Sequence, residues 1–301
     1  MSKYLSLKDM PCGVLLDTDI GPDCDDAGAL ALLCSFAREY HFPILGVGHC
    51  TSNPYGAGCV DGIAACYGYP KLQIGTWPGK GFLEEYTQYN KEVAIRFSGR
   101  SENGLYPAED AAQMYVRLLE QAQDQSVLMI AIGPLNNLAA LLDLDAALVE
   151  KKVRALVCMA ADIEKYREYN IVCDAPAAKK VFEKWPTPIF ASGFSVGIDL
   201  PMGFAVDENM ENNPVYVAYN RASQGDSQHR AAFDLTAVDF AVNGEGERWS
   251  LTAPGILEFG EEDATWFVEN PQGNVRFMVR NQPVAEISRA YKERILQFAD
   301  K

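Results

Sequence analysis

The sequence predicts an α/β fold, a doubly wound and mostly parallel sheet with helices on both faces. Three observations carry this. Short apolar, β-rich runs alternate with helical patterns from Gly13 to Ala191, the rhythm of successive βαβ units. The run Val127 to Ile132 (VLMIAI) has no polar side chain, as in a strand covered on both faces. Polar residues gather just after the apolar runs, where sheets of this kind bind ligands.

Gly13 to Leu16 (GVLL) reads as a buried strand. A helix follows from about Asp25 to Tyr40, with Leu30, Leu33, Cys34 and Ala37 on one face. Ile44 to Cys50 is a second strand, and a Gly- and Ala-rich helix runs from about Tyr55 to Tyr67. After the Val127 to Ile132 strand comes a short helix, Leu135 to Leu142, then a strand at Val153 to Met159. Asp174-Ala175-Pro176 opens a helix with a capping Asp and an early Pro. Thr187 to Ala191 is one more strand, Val275 to Val279 is β-like, and Val284 to Phe298 is a closing helix. Residues 77–106 and 203–231 break the rhythm and are expected to be long loops, the first a loop or lid. With no repeat, low-complexity tract or clear linker, residues 1–301 are expected to form a single domain.

Composition narrows the partners. The chain has 48% hydrophobic and 22% charged residues, as in soluble globular proteins. Acidic residues outnumber basic ones by 41 to 26, for a net charge of -15. That balance disfavours nucleic acid and favours a neutral small molecule or a cation. None of the eight cysteines sits in a CxxC pair, and several lie in apolar runs, so reduced buried thiols are expected. No stretch approaches the roughly 20 apolar residues that span a bilayer, and the first residues lack a signal-peptide core. No membrane association is expected, and a cytoplasmic location is.

The sharpest local signal is LLDTDIGPDCDDAGALALL, where Asp17, Asp19, Asp23, Asp25 and Asp26 fall between a buried strand and a helix start. One such Asp would be a cap, and a solvated acidic turn is the plain alternative for the rest. A helix N-terminus stabilises each negative charge by only roughly 0.3–1 kcal/mol. That does not offset several carboxylates in a half-buried cleft, whereas a divalent cation does. The donors are chiefly oxygens, with no His and with Cys24 the one sulfur among them, and such a set points to Ca²⁺ or Mg²⁺. EF-hand spacing is absent.

DTDIGPDCDD resembles the N-terminal DxDPGxDD signature of the nucleoside hydrolase family, with Ile for Pro and two inserted residues that make Asp23 an extra loop carboxylate. Asn53 at the end of GVGHCTSN, AIGPLNNLA at Ala131 to Ala139, Glu168-Tyr169-Asn170, IVCDAPAAKKVF and the FDLTAVDFAV segment around Asp234 resemble further family motifs in the same order. The resemblance runs from about Val14 to Val242. It implies a nucleoside-hydrolase-like sheet and a Ca²⁺ site built from Asp17, Asp19, Asp26, Asp234 and the Ile132 carbonyl, with Asp17 one layer back. Two ribose hydroxyls and a water would complete up to eight oxygens, which suits Ca²⁺ better than Mg²⁺. Asp25 is the expected general base on the Ca²⁺-bound water. Asn53, Glu168 and Asn170 are expected to hold the ribose, and Phe233 to meet the base. The implied reaction is hydrolysis of a ribonucleoside or related N-riboside by a homodimer or homotetramer.

Two positions depart from the family pattern. Many members carry His immediately before the C-terminal calcium Asp, and here that residue is Phe233. His229 is the nearest replacement acid, while His41 reads as a surface residue and His49 as a core or cleft residue. Trp77, Tyr86, Tyr89, Tyr166, Tyr169 and Phe233 are aromatics that either pack or stack on a base. The Gly-Gly that often follows the strand-end Met is Ala160-Ala161. Two other functions stay open at this stage. One is a retasked nucleoside- or ribose-binding protein that keeps the metal and lacks the acid. The other is a haloacid-dehalogenase-like phosphatase, suggested by LLDTD but lacking a convincing late GDxxxD.

Overall fold

The computed structural model describes residues 6–8, 12–85, 87–205, 207, 210–223 and 230–298. The first half of the chain runs β1 (Gly13–Thr18), α1 (Asp25–Tyr40), β2 (Ile44–His49), α2 (Gly56–Cys66), β3 (Ile74–Thr76), α3 (Asn90–Phe97), β4 (Glu109–Asp110), α4 (Ala111–Gln121). It continues through β5 (Val127–Ala131), α5 (Asn136–Lys152), β6 (Val153–Met159), α6 (Tyr169–Cys173), α7 (Ala175–Lys184) and β7 (Ile189–Ser192). Then come α8 (Phe194–Gly197), β8 (Pro201–Met202), α9 (Pro214–Ala222), β9 (Arg230–Ala231) and α10 (Phe233–Asn243). The chain closes with β10 (Trp249–Leu251), β11 (Gly255–Phe259), β12 (Thr265–Glu269), β13 (Val275–Arg280) and α11 (Val284–Phe298).

The main sheet has the order β4-β3-β2-β1-β5-β6-β7-β13-β11-β12, with β10 beside β13. From β4 to β13 every neighbour is parallel. The β11 and β12 strands at one end are antiparallel. This is the doubly wound, mostly parallel sheet that the alternating runs predict. Strand pleating divides the core: Val14 and Leu16 face the apolar layer under α1, α2 and α10, while Leu15 faces the one under α4, α5 and α7. All eight cysteines are free, and six are buried. No helix among the described residues is long and apolar enough to cross a membrane.

Two expected loops are corrected. The 77–106 segment contains α3, whose Val93 and Ala94 are buried. The 203–231 segment contains α9, capped by Asn213 with Pro214 in its first turn. Tyr86 and His229 lie outside the described residues. The short helix expected to end at Leu142 continues to Lys152, with a break in helical geometry at Asp145.

Candidate metal centre

The sheet order reverses at β1. The chain builds β2 to β4 outward on one side, then returns to place β5 to β7 on the other. Such reversals leave a crevice beyond the C-terminal strand ends. Asp19 follows β1, Ile132 follows β5, and Met159 ends β6. All three line a cavity of about 550 Å³ there.

The N-terminus of α1 brings Asp25 and Asp26 into this crevice, and the first turn of α10 brings Asp234. Each of the three offers a carboxylate oxygen within 4.8 Å of the others, although Asp234 is over two hundred residues away in sequence. The Asp234 backbone N–H donates to Asp25 Oδ2 at 3.1 Å, which locks the two helix starts together. The Thr18 hydroxyl donates to Asp26 Oδ1. All three carboxylates are almost fully buried. Burial, reinforced by their mutual repulsion, pushes them well above the ordinary carboxylate range. Asp19 lines the same cavity and is pushed up to about 7, chiefly by burial and then by the charges of Glu168 and Asp17.

Asp17 and Asn53 do not line the cavity. Asp17 sits behind it, where its Oδ2 accepts from the Tyr115 hydroxyl at 2.6 Å and Asn137 Nδ2 at 2.8 Å. Its Oδ1 is buried without a hydrogen bond, and burial lifts the carboxyl to about 7. Asn53 is engaged by its neighbours. Its Nδ2 donates to the Glu84 carbonyl at 2.8 Å, and its Oδ1 accepts from Tyr55 N and Asn90 Nδ2. It thus ties the segment after β2 to the start of α3.

Glu168 and Asn170 do line the cavity. Glu168 caps α6, accepting from the backbone N–H groups of Asn170, Ile171 and Ala161 at 2.9, 3.2 and 3.2 Å. Burial still raises its carboxyl to about 7. Asn170 Nδ2 donates to the Met159 carbonyl at 3.1 Å and reaches the Ile132 carbonyl at 3.4 Å. The Ala160-Ala161 departure has a backbone consequence. Ala161 adopts φ 61°, a left-handed conformation that suits glycine. From there its N–H reaches Glu168 and its carbonyl accepts from Phe194 N at 2.9 Å.

Part of the cavity wall is aromatic. Tyr166 stacks on Phe194 (centroids 4.4 Å apart, 26° between planes), and Phe194 stacks on Phe233 (5.3 Å, 23°). All three line the cavity, as do Arg167 and Tyr169. Sequence reasoning named Tyr166, Tyr169 and Phe233 but missed Phe194, although it closely follows the end of β7 at Ser192. It also missed that Arg230 pairs with Asp23 at the cavity edge, Nη2 to Oδ1 3.1 Å.

The remaining histidines fall where their surroundings suggest. His49 is fully buried, with its ring nitrogens 3.1 Å from Thr76 Oγ1 and 3.0 Å from Thr51 Oγ1. Burial holds its pKa down at about 3. His41 is exposed and ends α1 in a left-handed cap.

The family model for inosine-uridine preferring nucleoside hydrolase matches residues 14–248. No curated protein matches the chain. Among solved structures, the chain resembles an inosine-uridine preferring nucleoside hydrolase from Bacillus anthracis. That match has a TM-score of 0.72 and 15% identity, covering 96% of this chain and 99% of the other. A purine-preferring ribonucleoside hydrolase from Gardnerella vaginalis gives 0.72 and 14%, covering 96% and 99%. A type III effector protein, XopQ, complexed with adenosine diphosphate ribose, gives 0.70 and 13%, covering 96% and 95%. At these identities the structures speak for the fold, while the sequence model spans most of the chain and both halves of the acidic cluster. The phosphatase reading falls with this, and the chain belongs to the inosine-uridine preferring nucleoside hydrolases, a family of N-glycosyl hydrolases.

Proposed function

We propose that this protein is a Ca²⁺-dependent hydrolase that cleaves the N-glycosidic bond of ribonucleosides to ribose and free base. The observation that carries this reading is the convergence of Asp25, Asp26 and Asp234 at the sheet's reversal point. The donor set fits a hard divalent cation. It is all oxygen, and burying like charges together costs several kcal/mol per ion unless a counter-charge is present. Arg230, at the cavity edge, is taken by Asp23.

Asp19, Asp26, Asp234 and the Ile132 carbonyl would hold the cation, and Asp17 would brace the end of β1 from behind. When bound, Ca²⁺ supplies the positive field that orients and acidifies the attacking water. Asp25 accepts that water's proton, its Oδ2 being fixed by the Asp234 N–H. Glu168 and Asn170 grip the ribose hydroxyls, and Phe233 meets the base. The buried carboxylates also stabilise positive charge on the sugar as the bond to the base lengthens.

The test compares Asp25→Asn and Asp19→Asn for ribose release and for calcium binding by calorimetry. The reading expects D25N to keep calcium and lose turnover, and D19N to lose both. Full turnover by D25N would remove Asp25 as the base, and calcium retained without turnover by D19N would move that role to Asp19. Nucleoside binding without turnover in the parent protein would make the chain a retasked binding member of the family.

A further inference from the structure

The leaving-group side of the cavity bears on the class of riboside, an inference that rests on the hydrolase reading above. A neutral purine or pyrimidine base leaves as an anion unless a proton reaches it. The residue preceding Asp234 is Phe233, and no histidine lines the cavity among the described residues. Instead the wall is the Tyr166–Phe194–Phe233 stack, which starts beside Asp234 and runs to the rim, where Tyr166 is 38% exposed. Six carboxylates line the cavity (Asp19, Asp23, Asp25, Asp26, Glu168 and Asp234) with one guanidinium, Arg167, and a second, Arg230, pairs with Asp23 at its edge. One divalent cation leaves that balance negative.

We propose that the preferred substrates are N-ribosides of a cationic heteroaromatic ring, of the pyridinium class, seated on the Tyr166–Phe194–Phe233 stack. Such a ring needs no acid. Water oxygen bonds to the anomeric carbon, and the carbon–nitrogen bond breaks with its electron pair passing to the ring nitrogen. The ring leaves neutral, and the water's proton goes to the carboxylate base and then to solvent. Ribose, a neutral heteroaromatic base and a proton are the products, with no other reactant. Before cleavage the cation is held by the aromatic faces and by the surrounding carboxylates. After cleavage the uncharged product loses that attraction, which favours its release. A cation over aromatic faces gains roughly two- to thirty-fold in affinity over a neutral ring of similar shape.

The experiment measures ribose release by the calcium-loaded full chain from three probes: the β-riboside of nicotinamide, 4-nitrophenyl β-riboside and inosine. The first two leave without a proton, so their difference reports ring charge, while inosine reports the need for an acid. The expected order of kcat/KM is pyridinium riboside, nitrophenyl riboside, inosine, with the first at least about tenfold above the second and most of that in KM. Phe194→Leu should narrow the ratio of the first two. Equal or better turnover of the nitrophenyl riboside or inosine in the wild type would overturn the proposal whether or not F194L folds. An unchanged ratio in folded F194L would remove the stack from it. Absence of ribose from all three probes would instead overturn the hydrolase reading itself.

Discussion

Stripping and restoring calcium should move the protein's stability by a calculable amount, in a pH-dependent way. Asp19 is lifted to about 7, and Asp25, Asp26 and Asp234 are lifted well above 3.8, in each case first by burial. A carboxyl raised by folding holds more protons folded than unfolded. Its contribution is therefore fully present below about pH 4 and is lost as pH rises through the folded value. The calcium-free protein is thus expected to lose stability between about pH 4 and 7 and to be weakest above that. Calcium needs the same groups deprotonated, so its affinity should rise across the same window with release of protons. At a hundredfold excess over Kd, binding adds about 2.7 kcal/mol. At roughly 2 °C per kcal/mol for a chain this long, Tm should rise by about 5 °C at pH 8 and less at pH 6. Thermal unfolding followed after chelation and calcium titration measures this. No shift at pH 8, or the same shift in an Asp26→Asn, Asp234→Asn double variant, would refute the reasoning.

Two backbone substitutions next to the site should act in opposite directions. In Gly133→Ala the new Cβ would lie 2.8 Å from Asp19 N and from Asp19 Oδ1. Since that backbone cannot yield cheaply, calcium affinity should fall by about tenfold or more, and calorimetry showing unchanged affinity would contradict the crowding. Ala161→Gly relieves the φ 61° strain. It should raise stability by about 0.5–1 kcal/mol by denaturant unfolding while ribose release is kept, and a loss of stability would contradict the strain.

The parts legible in the sequence were those whose signals are local. The α1 and α11 helices, and the β6 strand, run over the predicted residues because their apolar spacing and flanking residues agree with their tertiary role. The acidic run after β1 pointed to the crevice because strand end and helix start lie within a few residues. What was missed depends on packing. The α3 helix is only eight residues long and is held by burial of Tyr89, Val93 and Ala94 against its neighbours. The α9 helix had a readable Asn-Pro start, but the polar composition around it outweighed that signal. The α10 helix is buried over nearly its whole length, so it shows no amphipathic period and reads only as a motif. In the site, the side-chain direction of Asp17 and Asn53 follows from Tyr115, Asn137, Glu84 and Asn90, partners far along the chain. Phe194 is placed by its N–H on the Ala161 carbonyl and by Asp162, which holds the α8 turn through Ser195, N at 2.9 Å and Oγ at 2.7 Å.

The most direct test of the central claim is free ribose released by the purified protein from inosine and uridine, with and without a calcium chelator. Deoxyribonucleoside and nucleoside 5′-phosphate controls complete it. Calcium-dependent release of ribose, restored on adding calcium back and much reduced for the deoxy controls, is the predicted result. Ribose release that persists undiminished after complete chelation would contradict a catalytic site built on Asp25, Asp26 and Asp234.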